Sequence, residues 1–369
     1  MKKISVLVKP ASSVCNIRCR YCFYADVTSN REVQSFGKMK SETTELMIRN
    51  IFADLSDGDE LTIGFQGGEP TLAGLSYYKH LIECVNQQTK NVNVHYAIQT
   101  NGIIINSKWC ELFKQNNFLV GLSIDGTPMT HDLNRLDTKG RGTFHRVIQT
   151  KKLFDEYKID YNILCVLTEE LSKSPQEVFN FLKNEDIKYV QFIPCLDEIN
   201  AVKKNSYALT PNGFSSFYRN IFNLWYDELS KGNYISIKLF DDIFNLLVRS
   251  EVNACGLIGN CSIQYVIEGD GSVYPCDFFA LDEFKLGYIQ DMRLKELFFS
   301  KISKKFLCSR SIEALPKKCN SCPFFNICRG GCKRMSDVIY VDNINDFCGY
   351  QSLLTLFTEK IENILRLLN

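Results

Sequence analysis

Histidine is scarce in this chain: four residues in 369, with none between Lys9 and Arg31. Excess charge is missing as well. Lys and Arg number 43 against 42 Asp and Glu, a net charge of +1, which argues against a broad nucleic-acid or anionic-membrane surface. No stretch approaches the ~20 apolar residues of a membrane span. The apolar run at residues 4–8, closed by Lys9-Pro10, falls short of the roughly 7 to 15 residues of a signal-peptide core. A cytoplasmic protein with no nucleic-acid and no membrane partner is expected. Internal repeats and low-complexity linkers are absent too. Even so, 45% apolar residues over this length suffice for a sizeable core and suggest roughly two to three domains.

What the chain has in quantity is cysteine, 16 residues in short-spaced runs. So large a chain does not need disulfide staples, and metal ligation in a reducing compartment fits the clustering better. The first run, Ser12-Ser13-Val14-Cys15-Asn16-Ile17-Arg18-Cys19-Arg20-Tyr21-Cys22-Phe23-Tyr24, spaces three thiols as C-x3-C-x2-C. Structural zinc sites and ordinary cubane clusters take four protein ligands. Here the next thiol is as distant as Cys84. One iron of a 4Fe-4S cluster would therefore stay open for a small molecule, with a zinc knuckle or three unrelated thiols as the alternative.

Up to about residue 235, short β-branched runs alternate with amphipathic helical stretches, the pattern of βα units around a parallel sheet. Six strands are expected, at 4–8, 61–65, 92–98, 119–123, 161–167 and 189–193. Ser174-Pro175-Gln176-Glu177 reads as a capping box, and Thr210-Pro211 opens another helix. Met47, Ile51 and Leu55 form one apolar stripe; Phe214, Phe217, Ile221, Leu224 and Trp225 form a second. The expected fold is α/β: a partial (β/α)6 TIM-like barrel over 1–235, with ligands at the face where strands end. Beyond it, 236–369 reads as a small Cys-rich α+β domain closed by a helix from about Ser352. Within it, Glu268-Gly269-Asp270-Gly271-Ser272 reads as a hairpin turn.

Polar clusters fall on that expected ligand face. Gln66-Gly67-Gly68-Glu69-Pro70 follows the second strand, and its paired glycines let backbone approach a ligand while Glu69 adds an acceptor for an ammonium. Gln99-Thr100-Asn101-Gly102 and Ser123-Ile124-Asp125-Gly126 end the third and fourth strands, although both double as ordinary turn formers. The C-terminal part supplies eight thiols: Cys255, Cys261, Cys276, Cys319, Cys322, Cys328, Cys332 and Cys348. These would suffice for two fully ligated cubanes; zinc in one site is the alternative, and spacing alone does not divide them. Cys84, Cys110, Cys165, Cys195 and Cys308 remain as small hydrophobes or free thiols.

The three-cysteine loop, with its following aromatic, resembles the cluster loop of the radical S-adenosylmethionine (SAM) enzymes, and Gly67-Gly68-Glu69 resembles their GGE motif. That resemblance implies that Cys15, Cys19 and Cys22 hold the open cluster and that Gly68 and Glu69 receive the amino group of SAM. It places Ser123 and Arg135 at the carboxylate and ribose of SAM, and Tyr21 and Leu196 at its adenine. The run Cys319-x2-Cys322-x5-Cys328-x3-Cys332 resembles the SPASM domain. It implies one auxiliary cluster on Cys255, Cys261, Cys276 and Cys332, and another on Cys319, Cys322, Cys328 and Cys348. Tyr274-Pro275-Cys276-Asp277-Phe278-Phe279, together with the stretches above, is similar to the anaerobic sulfatase-maturating enzymes over the whole chain.

The resemblance implies three 4Fe-4S clusters, one binding SAM and two auxiliary, and oxidation of a sulfatase cysteine, with serine a second target, to Cα-formylglycine. The expected partners are an unfolded or nascent sulfatase segment carrying Cys/Ser-x-Pro-x-Arg and an electron donor such as a flavodoxin or ferredoxin. Asp277, next to ligand Cys276, is the expected base, and Tyr24 and Gln66 are expected to hold the peptide. Two rivals remain: another SPASM peptide modifier that forms thioether crosslinks or epimers, and a non-catalytic iron-sulfur electron carrier.

Overall fold

The computed structural model describes residues 1–251, 254–308 and 315–368. Its chain divides into two compact units. The first comprises Met1–Ser123, Arg135–Tyr161 and Ser262–Ser309; the second comprises Ile124–Asn134, Asn162–Cys261 and Arg310–Asn369.

In the first unit the strands Lys3–Val8, Glu60–Phe65, Asn93–Thr100 and Leu119–Ser123 pair in parallel and in chain order. Alternating residues of the second strand, Leu61, Ile63 and Phe65, are buried, so the register is fixed by which face must leave water. The helices Ser41–Ala53 and Leu75–Asn86 occur between these strands in the chain, and Met47 and Ile51 are fully buried. A cluster of rings fills the core: Phe118 stacks on Tyr96 at 5.0 Å and on Phe65 at 6.1 Å, and Tyr78 meets Trp109 edge-on at 5.3 Å.

The chain returns to this unit after residue 262. Val266–Ile267 lies parallel to Lys3–Val8, with Leu7 opposite Val266 and Val8 opposite Ile267. Ser272–Tyr274 then pairs antiparallel to Val266–Ile267, and Gly287–Tyr288 pairs antiparallel to Ser272–Tyr274. The hairpin expected around Gly269-Asp270-Gly271 is therefore present, added to the free edge of the first strand. A short pair unseen in the sequence, Ile17–Cys19 against Arg135–Asp137, places Cys19 opposite Arg135.

The second unit carries the strands Tyr161–Leu167, Tyr189–Pro194 and Ser236–Ile237, again parallel. All six expected strands form, within two residues of their expected ends. The capping box does not. Ser174 follows a tight turn at Leu171–Lys173 with ψ 47°, away from the extended N-cap conformation, and its side chain caps nothing. Thr210 does cap its helix, Pro211–Ser230, accepting from Gly213 N at 2.9 Å.

That helix packs on the closing helix Gly349–Leu368 through Phe222 and Phe357, whose ring centroids are 5.1 Å apart, with Phe240 at 5.2 Å from Phe357. Phe357 is fully buried. Removing its ring leaves a cavity that surrounding rings cannot close, so Phe357→Ala should cost about 3–5 kcal/mol. A thermal melt followed by far-UV circular dichroism checks this; an unchanged midpoint would contradict the packing.

Candidate functional site

The first unit contains Cys15, Cys19, Cys22, the Gly67-Gly68-Glu69 corner and Cys276-Asp277. The corner and the cysteine loop are joined main chain to main chain: Gly68 N donates to Ser12 O and Glu69 N to Val14 O, each at 2.8 Å. A Cβ on Gly68 would stand 2.3 Å from Val14 O, and Gly67 holds φ +126° with Ser12 O 2.9 Å from where its Cβ would lie. Only glycines permit this approach.

Glu69 is 1% exposed. Burial pushes its carboxyl upward, while bonds from Thr71, Asn101 N and Thr100 pull it back. Oε1 accepts from Thr71 and from Thr100 Oγ1 at 2.8 Å; Oε2 accepts from Asn101 N at 2.8 Å, which leaves acceptor capacity on Oε2. The polar ends of the second and third strands thus form one assembly.

The thiols are surrounded by donors. Asn101 Nδ2 stands 3.8 Å from Cys15 Sγ, Ala25 N donates to Cys22 Sγ at 3.4 Å, and Arg135 Nη1 stands 3.9 Å from Cys19 Sγ. Arg135 also covers the ring of Tyr21, 5.6 Å from its centroid. Burial pushes the Cys15 thiol up to about 11, so its thiolate needs a cationic partner. Among the described residues, no three His, Cys, Asp or Glu side chains converge on a single-ion position. Three thiols with N–H groups aimed at sulfur, beside a glycine cradle and a buried carboxylate, are a donor set that fits an iron-sulfur cluster with an amine-bearing ligand.

Asp277 faces the same loop. Phe23, next to Cys22, meets Phe278, next to Asp277, edge-on at 5.2 Å. Lys9 Nζ lies 2.5 Å from Asp277 Oδ1 and 3.4 Å from the centroid of the Tyr24 ring. Glu268, with no exposure, takes the Tyr24 hydroxyl at 2.6 Å, Arg31 Nη2 at 2.9 Å and Ser12 Oγ at 3.3 Å. Arg31 Nε also donates to Ala280 O. Tyr24 is 2% exposed with its hydroxyl committed to Glu268, which pushes that hydroxyl well above its ordinary value through burial and the neighbouring charge. Gln66 is half-buried, and its main-chain N donates to Val8 O at 3.0 Å. Ser123, at the end of its strand, is 4% exposed.

The second unit holds the other residues. Leu196 is buried just past the strand Tyr189–Pro194. Cys319, Cys322, Cys328 and Cys348 line one pocket with Phe324, Tyr340 and Leu354. Cys332 packs against Gly256, next to Cys255: a Cβ on that glycine would stand 3.4 Å from the Cys332 Cβ. Asp125 serves the fold, accepting from Val166 N at 2.9 Å. Cys84, Cys110, Cys165 and Cys195 are buried, whereas Cys308 is exposed.

Sequence reasoning missed Lys9, Arg31 and Glu268. Glu268 looked like a turn residue and Lys9 like the stop of an apolar run. The available signal was that Lys9 directly follows a parallel strand, on the face where ligands gather.

Comparison with known proteins agrees with this site. The radical SAM superfamily model matches residues 10–182, and the iron-sulfur cluster-binding (SPASM) domain model matches 255–323. Fold and site together are those of a radical SAM protein with an iron-sulfur domain. The chain is 41% identical over 366 residues to the cysteine-type anaerobic sulfatase-maturating enzyme of Clostridium novyi (strain NT), covering 99% of this chain and 97% of that one. The serine-type enzyme of Bacteroides thetaiotaomicron is 28% identical over 348 residues, 90% of this chain and 83% of that one. The solved structure of native anSMEcpe with bound AdoMet and Kp18Cys peptide superposes with a TM-score of 0.88 at 38% identity, covering 99% of this chain and 98% of that one. The chain belongs to the family of anaerobic sulfatase-maturating enzymes.

The glycine cradle gives a direct test. Gly68→Ala drives a methyl group into Val14 O and the adjoining backbone, so the cysteine loop must shift. Iron in the reconstituted protein should fall by about a third, one cluster of three, and SAM cleavage at least about tenfold. Wild-type iron and wild-type cleavage would contradict the assignment.

Proposed function

We propose that this chain oxidises a cysteine within a sulfatase peptide to Cα-formylglycine, with Asp277 as the base that takes the thiol proton. The single observation that carries the assignment of Asp277 is its ion pair with buried Lys9, on a segment packed against the three-cysteine loop. When bound, SAM and the clusters would supply the 5′-deoxyadenosyl radical that takes one hydrogen atom from Cβ and the acceptor for the second electron; with the thiol proton passed to Asp277 the residue is left as a thioaldehyde, which water converts to formylglycine with release of hydrogen sulfide. Cys15, Cys19 and Cys22 would hold the SAM-binding cluster. The other eight thiols, Cys255, Cys261, Cys276, Cys319, Cys322, Cys328, Cys332 and Cys348, would hold the two auxiliary ones. Gly68, Glu69, Ser123, Arg135, Tyr21 and Leu196 would orient SAM. In this assignment residues 1–235 act as the radical SAM part and 236–369 as the auxiliary-cluster part.

The chain's own work is positional and protonic. The Asp277 carboxylate can accept the thiol proton as the electron leaves. Gln66 would hold the peptide backbone; Tyr24, its hydroxyl occupied by Glu268, would contact the peptide only through its ring. Cysteine is the preferred target because a thiol loses its proton to the same base more readily than a hydroxyl. The substrate segment would carry Cys/Ser-x-Pro-x-Arg, and a flavodoxin or ferredoxin would deliver the first electron in the cytoplasm.

Mass spectrometry on Cys and Ser versions of a sulfatase-derived peptide, incubated with reduced enzyme and SAM, tests the function. A hydrazine-trapped aldehyde is the expected product, faster from Cys; a thioether crosslink or an unoxidised epimer would overturn it. Asp277→Asn should keep 5′-deoxyadenosine formation and lose formylglycine by about 10²-fold or more, and a wild-type product yield would remove Asp277 from the role. Replacing Cys15, Cys19 and Cys22 with Ala should abolish SAM cleavage and remove about a third of the iron; retained 5′-deoxyadenosine production would refute the ligand set.

A further inference from the structure

We infer that Lys9 is the positioning residue for Asp277, holding the carboxylate where the substrate thiol arrives. This rests on Asp277 being the base. A lysine side chain is almost never fully buried without a partner, and the side chain of Lys9 has no exposure at all. Its ammonium is 2.5 Å from Asp277 Oδ1, a direct ion pair. The pair engages Oδ1 and leaves Oδ2 to receive a thiol proton.

The two partners differ in access. Lys9 is sealed, while the Asp277 side chain keeps 12% of its exposure, so the carboxylate is the end of the pair that opens outward. Both ends are anchored independently. Lys9 N donates to Ile267 O at 2.8 Å, and Asp277 N donates to Gln264 Oε1 at 3.2 Å, so Lys9 is tied to the hairpin that leads into Asp277. The Tyr24 ring, 3.4 Å from Nζ, closes the other side of the ammonium and is itself pinned by Glu268. With Arg31 facing Glu268 and Lys9 facing Asp277, two cations balance two anions, and removing Lys9 leaves a half-sealed carboxylate without its counter-charge.

A double-mutant cycle separates this role from simple support of the fold. Lys9→Met, Asp277→Asn and the double variant are compared for formylglycine formed per 5′-deoxyadenosine, with iron content and thermal midpoint measured on each. Lys9→Met should keep its iron and its SAM cleavage within about twofold, yet lose formylglycine by about tenfold or more. In the Asp277→Asn background the same change should cost less than about twofold, because nothing is left to position. The midpoint of the double variant should lie above that of Lys9→Met, since removing both charges relieves the unpaired one.

A Lys9→Met enzyme with wild-type product yield, or a full tenfold loss repeated on top of Asp277→Asn, overturns the inference while leaving Asp277 as base. Wild-type yield from Asp277→Asn overturns the base itself. Should Lys9→Met fail to accumulate as iron-loaded protein, Lys9→Arg takes its place in the cycle. It keeps the buried charge but displaces it, and the same non-additivity is expected; additive losses overturn the role.

Discussion

Glu268 has no contact with water, and the chain around residues 12–31 closes on it with three side chains: Ser12, Tyr24 and Arg31. A buried carboxylate is tolerable only when its charge is matched and its lone pairs are used, and here both conditions are met by residues flanking the three cysteines. The arrangement works in both directions. The hairpin that bears Glu268 fixes the loop, and the loop's Arg31 and Tyr24 fix the hairpin, whose next segment carries Cys276 and Asp277. The strand pairing of Lys3–Val8 with Val266–Ile267 gives that lock its register.

The consequence for chemistry is that the three-cysteine loop and Asp277, the proposed radical source and the proposed base, belong to one compact unit. A radical generated at the loop is useful only if the carbon it attacks lies beside the group that takes the neighbouring proton, and misplacement by about 1 Å can cost 10²-fold. Phe23 against Phe278 and Lys9 against Asp277 are the contacts that join the two segments. Of the four charged side chains in the Lys9–Asp277 and Arg31–Glu268 pairs, only that of Asp277 keeps any exposure. The glycine pair at 67–68 does the corresponding work on the other flank, where any Cβ would push the loop away.

Much of this was legible from residues alone, and the limits have physical causes. Parallel strands announce themselves as short β-branched runs, here with alternate residues buried, and all six form where expected. The three-cysteine spacing and the glycine corner are local in sequence, so they could be read directly. Glu268 and Lys9 were opaque because their meaning depends on partners about 250 residues away: a glutamate before Gly-Asp-Gly is a turn residue until Arg31 and Tyr24 are placed beside it. The pair Ile17–Cys19 with Arg135–Asp137 was hidden for the same reason, being three residues long with no alternation to detect. Ser174 shows the opposite failure, a local signal outvoted by the tight turn before it.

The central claim, that the radical takes hydrogen from Cβ of the same substrate residue whose thiol proton goes to the base, is tested most directly with a peptide whose target cysteine carries two deuterium atoms at Cβ. In a single turnover of the wild-type enzyme, each formylglycine should be matched by one deuterium recovered in 5′-deoxyadenosine. Aldehyde formed with no deuterium in 5′-deoxyadenosine would show that the hydrogen comes from elsewhere, and would contradict the account.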